Sequence, residues 1–366
     1  MVALRGVAAA LRTRAALGLR PVTAPVMVFV PLGILAGPRA LGLVREAALA
    51  HLDVVVTLVL ATLGVLIGIA GSRRDAGWGR LLAASSVEAA TTIGVVAASV
   101  VTLIGTWGMS LGPPHALVAL ALGICASSSA APSVAPSDHS SRRIAARVAD
   151  LDDVLPICLG GVLLALMVKA DGTALISALT SVGIGAGVAA AGLLLLRGRE
   201  DPAERGVFVL GLLALLGGSA AYLASSPLLT GLSAGVVWTT APGRTDVIIS
   251  NELAKVQRPL IVLLLVIAGA SVVPSAAGLW LFAPYVVFRL AGKLLGSWVA
   301  ARVAPSVAPS DLGVYLVAPG VIGVAFALNL QQVAPEAAGA LVFAVALGAV
   351  ASELLAVVVT PRPLPA

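Results

Sequence analysis

Long apolar runs recur along the whole chain, each closed by a short stretch rich in arginine, glycine or proline. A helix needs about 20 mostly apolar residues to cross a bilayer. Twelve segments meet or approach that length, at about 22–37, 51–71, 80–104, 114–132, 143–169, 173–197, 206–223, 226–241, 259–274, 276–301, 311–331 and 337–360. The first, eighth and ninth are short for full spans. The longest polar gap, Ala241 to Arg258, reads as a loop, so one membrane domain is expected over residues 21–362. The pattern predicts an all-α polytopic membrane protein with about twelve transmembrane helices.

Composition agrees. Hydrophobic residues make up 59% of the 366 and charged residues 11%, against about 25% charged in soluble domains. Mean hydropathy is +1.07. The 39 glycines suit membrane helices that pack closely. Neither an enzyme nor a cofactor is expected. Cys125 and Cys158 both fall in apolar runs, so no disulfide framework is expected. The opening MVALRGVAAALRTRAALGLRP spaces arginines through its apolar part. A signal peptide has a clean apolar block after its charges, so residues 1–20 read as a basic cytoplasmic tail or surface helix.

A net charge of +6 raises nucleic acid as a partner. No basic stripe with interleaved aromatics supports it, and the lipid bilayer explains the charge better. Laid over twelve spans, 18 of the 23 lysines and arginines fall on one side, from Arg5 to Arg362. Arg39, Arg45 and Lys169 fall on the other, while Arg289 and Lys293 lie within a span. Basic loops stay cytoplasmic, which predicts a multi-pass protein of the cytoplasmic membrane with both termini inside.

Two spans are interrupted. The fourth contains GICASSSAAPSVAPS, residues 123–137, with Ser128, Ser129 and Pro132. The eleventh contains YLVAPGVIGVAFALN, residues 315–329, with Pro319 and Gly320. Proline removes a backbone donor and clashes with the preceding turn. Taken singly, each break reads first as an ordinary proline kink. Two broken helices in corresponding halves point instead to a transport site near the membrane midplane. The third and tenth spans then open a pair of inverted repeats.

Charges inside the spans are the candidate chemistry: Glu88, Asp150, Asp152, Asp153, Arg289, Lys293 and Glu353. Each costs about 2.5–3.5 kcal/mol at the bilayer centre on insertion scales, so such residues usually mark ion or proton pathways. Asp152 and Asp153 are adjacent, about 100° apart on a helix, and Asp150 shares a face with Asp153. Neighbouring carboxylates hinder each other's ionisation. That suits exchange of protons for a hard monovalent cation such as Na⁺ at Asp153 and Asp152, with hydroxyls and freed carbonyls completing the shell. The other reading is a helix cap at the water boundary. It is disfavoured by the preceding RRIAARVA, which already supplies about two helical turns. Lys293 either pairs with Asp152 or Asp153 or snorkels to the interface. Arg289 is a candidate snorkeller, or a partner for Glu88 or Glu353, two acids that read as structural or gating. His51, His115 and His139 read as loop residues.

With these residues in view, the chain resembles the bacterial sodium/proton antiporters of the monovalent cation:proton antiporter superfamily. The resemblance rests on DLDDVLPICLGGVLLAL, on RLAGKLLG about 140 residues later, on GILAGPRALGLV (33–44), on NELAKVQRPLIVLLLVIAGASV (251–272) and on LVAPGVIGVAFAL. It implies two crossing discontinuous helices in a six-helix core, over about 80–169 and 276–360, beside a panel that forms a homodimer. It further implies that Asp153 carries the cation and proton, that Asp152 is its partner paired with Lys293, and that exchange is electrogenic and serves pH homeostasis. Where that family often has Thr or Thr-Asp in the first break, this chain has Ser127, Ser128, Ser129 and Ala130. The expectation is therefore a secondary transporter exchanging Na⁺ or Li⁺ for H⁺. A K⁺/H⁺ exchanger and a sodium-coupled organic-anion symporter are its rivals on the same fold, and a non-transporting scaffold is a third.

Overall fold

The computed structural model describes residues 25–72, 77–107, 115–132, 140–168, 173–196, 201–241, 245–309 and 311–359. The expected tail at 1–20, His139 and Lys169 lie outside them. Fifteen helices form among the described residues: α1 (Pro25–Ala36), α2 (Glu46–His51), α3 (Asp53–Ser72), α4 (Trp78–Trp107), α5 (His115–Ser127), α6 (Ser140–Leu151), α7 (Val154–Val168), α8 (Ala174–Leu195), α9 (Pro202–Tyr222), α10 (Pro227–Thr240), α11 (Thr245–Ala270), α12 (Ala276–Val303), α13 (Leu312–Tyr315), α14 (Val321–Val333) and α15 (Pro335–Val359). In hydrocarbon every backbone donor and acceptor needs a partner inside the protein, and an apolar helix meets that need by itself.

Local signals explain several boundaries. Asp201 accepts a hydrogen bond from the Ala203 amide at 3.0 Å, and Pro202 opens α9. Ser226 accepts from the Leu229 amide, with Pro227 opening α10. Ser275 accepts from the Gly278 amide at 3.0 Å at the start of α12. Such caps satisfy amides that have no partner in the first turn, and proline is tolerated there because its missing N–H is not needed.

Among the described residues eight helices are long and apolar enough to cross a membrane by themselves, with α6 and α7 counted as one. The shorter α1, α5, α10 and the interrupted α13–α14 complete twelve segments. One boundary differs from expectation. The segment read as a loop up to Arg258 is helical from Thr245, making α11 26 residues long. Its polar first turns fall below the apolar threshold. Glu252, Leu253, Ala254 and Lys255 within the helix are good helix formers, however, and Glu252 and Lys255 form an ion pair at 2.7 Å one turn apart.

The helices pack as two groups. One comprises α4 to α7 and α12 to α15; the other comprises α1, α3 and α8 to α11. Within the second group α3 crosses α10 where Gly64 and Gly68 face Gly231 and Gly235. A Cβ built at Gly68 stands 3.0 Å from the Gly235 Cα, and the Gly235 Cβ meets Gly68 at the same distance. The α1–α11 crossing repeats this, with Gly33 and Gly269 3.0 Å apart by the same measure. Small residues let membrane helices approach to backbone contact. The repetition of one crossing by the first and ninth spans and by the second and eighth is what inverted repeats require.

The crossing makes a graded prediction. A side chain at Gly231 meets the Ala61 carbonyl, which cannot swing away, whereas Gly218 on α9 has open space. Gly231→Ala is expected to cost about 1–3 kcal/mol, the usual toll of overpacking. Gly218→Ala should be neutral or slightly stabilising. Thermal unfolding of the purified variants checks this, and equal shifts would contradict it.

Candidate functional site

The two interruptions meet. After α5 ends at Ser127 the chain runs extended, and it does the same between α13 and α14. Ser129 and Pro319 form an isolated antiparallel bridge. The Ala130 amide donates to the Ala318 carbonyl at 3.0 Å, and the Gly320 amide to the Ser128 carbonyl at 3.2 Å. Gly320 lies against the Ser128 hydroxyl, and Gly323 against the Cys125 carbonyl, so neither position has room for a side chain. The helices thus cross at their breaks, and each break partly satisfies the other. Pro319 and Gly320 sit in the crossing itself. Pro132 closes the first extended stretch, and the helix has already ended before it.

Two cations take carbonyls that the crossing leaves free and share those it already uses. Arg289 of α12 donates to Val317, to Ser128 at 2.9 Å and to Ala318 at 3.3 Å. It is 1% exposed, so it does not snorkel as its sequence context allowed. One guanidinium instead spans both broken helices, which its forked donors suit. Lys293, one turn further along α12, donates to the Ser127 carbonyl that ends α5. A positive charge there also complements the negative end of the half-helix dipole. Tyr285, one turn before Arg289, donates to the Cys125 carbonyl at 3.3 Å.

Lys293 Nζ lies 3.2 Å from Asp152 Oδ2 and 3.1 Å from Glu88 Oε2, and all three side chains are fully buried. Snorkelling is excluded for this lysine as well. Thr92 donates to the other Glu88 oxygen at 3.1 Å. Asp152 and Asp153 occupy the junction where α6 hands over to α7. Pro156 causes that junction, because it lacks the amide that would bond the Asp152 carbonyl. Flanking bonds from Asp152 N to Val148 and from Ile157 N to Asp153 keep the segment aligned. The acids therefore lie three turns into a helix that begins at Ser140, and a helix cap at the water boundary does not account for them.

Four buried oxygens in this region have no hydrogen-bond partner: Asp152 Oδ1, Asp153 Oδ1, Ser128 Oγ and Ser129 Oγ. Ser129 sits beside Asp152 and Ser128 beside Asp153. Buried polar atoms are normally paired, so a set of unpaired oxygens beside two carboxylates is suited to a small hard cation. Among the described residues no three His, Cys, Asp or Glu side chains converge as a metal site. A cation here would draw on the two carboxylates and the two serine hydroxyls.

The other expected residues are more peripheral. Asp150 is exposed on α6, and Arg147 is the charged group nearest in effect. Glu353 of α15 is mostly buried and interacts electrostatically with Arg289 without a hydrogen bond between them. His51 is exposed, and the His115 side chain and His139 lie outside the described positions. Sequence reasoning passed over Thr92, Tyr285 and Pro156. It also passed over Ser85 and Ser297, whose buried hydroxyls are unpaired one turn from Glu88 and Lys293. Serine and threonine are ordinary in membrane helices and give no signal of their own.

The whole chain superposes on a solved structure, that of the sodium proton antiporter MjNhaP1 from Methanocaldococcus jannaschii. The TM-score is 0.68, covering 97% of this chain and 96% of that one at 14% identity. No family model and no curated relative matches the chain. At that identity the likeness establishes the fold, which is the sodium/proton antiporter fold with its inverted repeats and two crossing discontinuous helices.

If Arg289 braces the crossing, lysine cannot replace it. Arg289→Lys removes charged hydrogen bonds to carbonyls of both breaks, Val317, Ser128 and Ala318, at about 1.5–3 kcal/mol for each one lost. The apparent midpoint of thermal unfolding in detergent should fall by several degrees. A variant as stable as wild type would show that the guanidinium does not hold the breaks together.

Proposed function

We propose that the chain is a secondary active cation/proton antiporter, not an enzyme, that exchanges Na⁺ or Li⁺ for H⁺ by alternating access. One observation carries this reading: paired carboxylates with unpartnered oxygens lie buried at the crossing of two broken helices. Outside protons bind Asp153 and Asp152. The group of α4–α7 and α12–α15 then moves against the other helices, and a cytoplasmic cation displaces the protons. Lys293 lies beside Asp152 at 3.2 Å, and Ser128 and Ser129 supply oxygens to the ion. The solved structure with the same fold is that of a sodium proton antiporter, which supports the same class of cargo here. Exchange that moves net charge couples to the membrane potential at about 2.3 kcal/mol per charge per 100 mV.

The reading includes the cytoplasmic membrane, both termini inside and a homodimer joined through the second helix group. In that orientation hydrogen bonds join the two helix groups on the outer side. Asn329 of α14 donates to Ser226 at the head of α10 at 3.3 Å, and Gln332 donates to the Asp53 carbonyl at the head of α3 at 3.0 Å. These bonds tie the two helix groups together at their outer ends.

Proton movement in proteoliposomes under an imposed pH gradient tests the proposal. Wild type and Asp153→Asn are compared as Na⁺, Li⁺ and K⁺ are added in turn. Collapse of the gradient by Na⁺ or Li⁺, lost in the variant, is the expected result. Collapse by K⁺ alone changes the cargo to K⁺. No response to any cation in folded, reconstituted wild type sinks the antiporter and leaves sodium-coupled anion uptake to be measured.

A further inference from the structure

Lys293 is shared almost equally between two buried carboxylates, at 3.1 Å from Glu88 and 3.2 Å from Asp152. The two are not equivalent. Glu88 lies within the unbroken 30-residue α4, and its second oxygen is held by Thr92 at 3.1 Å. Lys293 lies within the unbroken 28-residue α12. These helices are pressed together at this point. A Cβ at Gly296 would stand 2.7 Å from the Glu88 carbonyl oxygen, and one at Gly292 3.1 Å from the Thr92 Cα. The Glu88–Lys293 contact is therefore built into a rigid helix pair. Asp152 sits instead at the α6–α7 junction, with one oxygen unpartnered and buried.

We propose that Glu88 is the standing counter-ion of Lys293, and that this frees Asp152 to exchange its partner along with Asp153. The inference rests on the antiporter reading and deepens it by assigning what sets the coupling ratio. Arg289 and Asp152 also act electrostatically on Glu88, but Arg289 is committed to the broken-helix carbonyls.

The charge count follows. With Glu88 neutralising Lys293, the site holds two protons, on Asp152 and Asp153, or one monovalent cation on both carboxylates. Two protons exchange for one cation, and one net charge moves per cycle. Without the Glu88 charge, Asp152 is the carboxylate left to balance Lys293 and stays ionised throughout. Asp153 alone then exchanges, one proton for one cation, with no net charge moved. Glu88 is thus a positioning residue that acts through Lys293.

The test measures, in proteoliposomes clamped by a K⁺ diffusion potential, the cation gradient at which net exchange stops. With one net charge per cycle, about 59 mV shifts that gradient tenfold, which is the expectation for wild type. Glu88→Gln should still exchange but show no shift. An unchanged tenfold shift in Glu88→Gln overturns the assignment. If Glu88→Gln is inactive or fails to fold, Glu88→Gln/Lys293→Gln decides. It removes both charges of the pair, so it should fold better than the single variant and exchange with the tenfold shift restored. A double variant that is inactive, or that lacks the shift, overturns the assignment too. Wild type with no cation-driven exchange removes the antiporter reading itself, an outcome separate from all of these.

Discussion

Everything in this fold answers to one constraint: a membrane helix that breaks leaves carbonyls and amides with no water to satisfy them. The chain breaks two helices and crosses them so that each supplies partners to the other, through the Ser129–Pro319 bridge and the Ala130 and Gly320 amides. The carbonyls still left over, at Ser127 and Val317, are taken by Lys293 and Arg289, and Arg289 adds a second donor to the Ser128 and Ala318 carbonyls. Two buried cations are the consequence of two broken helices.

Those cations bring the carboxylates with them. A buried charge without a partner is strongly destabilising, and Lys293 meets the requirement with Glu88 and Asp152. Arg289 spreads its charge over carbonyls and interacts with Glu353. Of the two aspartates at the α6–α7 junction, Asp153 has no cation in hydrogen-bond contact, and it lies next to serine oxygens that also lack partners. In the proposed antiporter, structural need and transport chemistry share one set of residues, and the cations that hold the breaks together leave a carboxylate for the cargo.

Much of this was legible in the chain, for identifiable reasons. Charged residues are so rare in the apolar runs that Asp152, Asp153, Glu88 and Lys293 stood out, and the twelve segments followed from run length. What lay hidden was of two kinds. Thr245 to Arg258 looked like a loop because hydropathy measures burial in lipid, whereas the helix there is sustained by backbone propensity and the Glu252–Lys255 pair. The pairing of Lys293 with Asp152 was among the readings of the sequence, but its second partner, Glu88, and the carbonyl partners of Arg289 were hidden by distance. Glu88 is 205 residues from Lys293, and Ser128 is 161 from Arg289. The crossing that joins them exists only in three dimensions. Snorkelling is a reasonable fate for an arginine in an isolated helix, but not for one facing two broken ones.

The central claim is that one buried site holds either protons or a cation, never both. Cation binding to the purified protein, followed calorimetrically across pH, tests it without requiring transport. If the carboxylates are shared, apparent affinity for the driving cation must weaken by about tenfold or more for each unit that pH is lowered, because binding releases protons. An affinity that stays flat as protons are added would place the cation elsewhere and contradict the account.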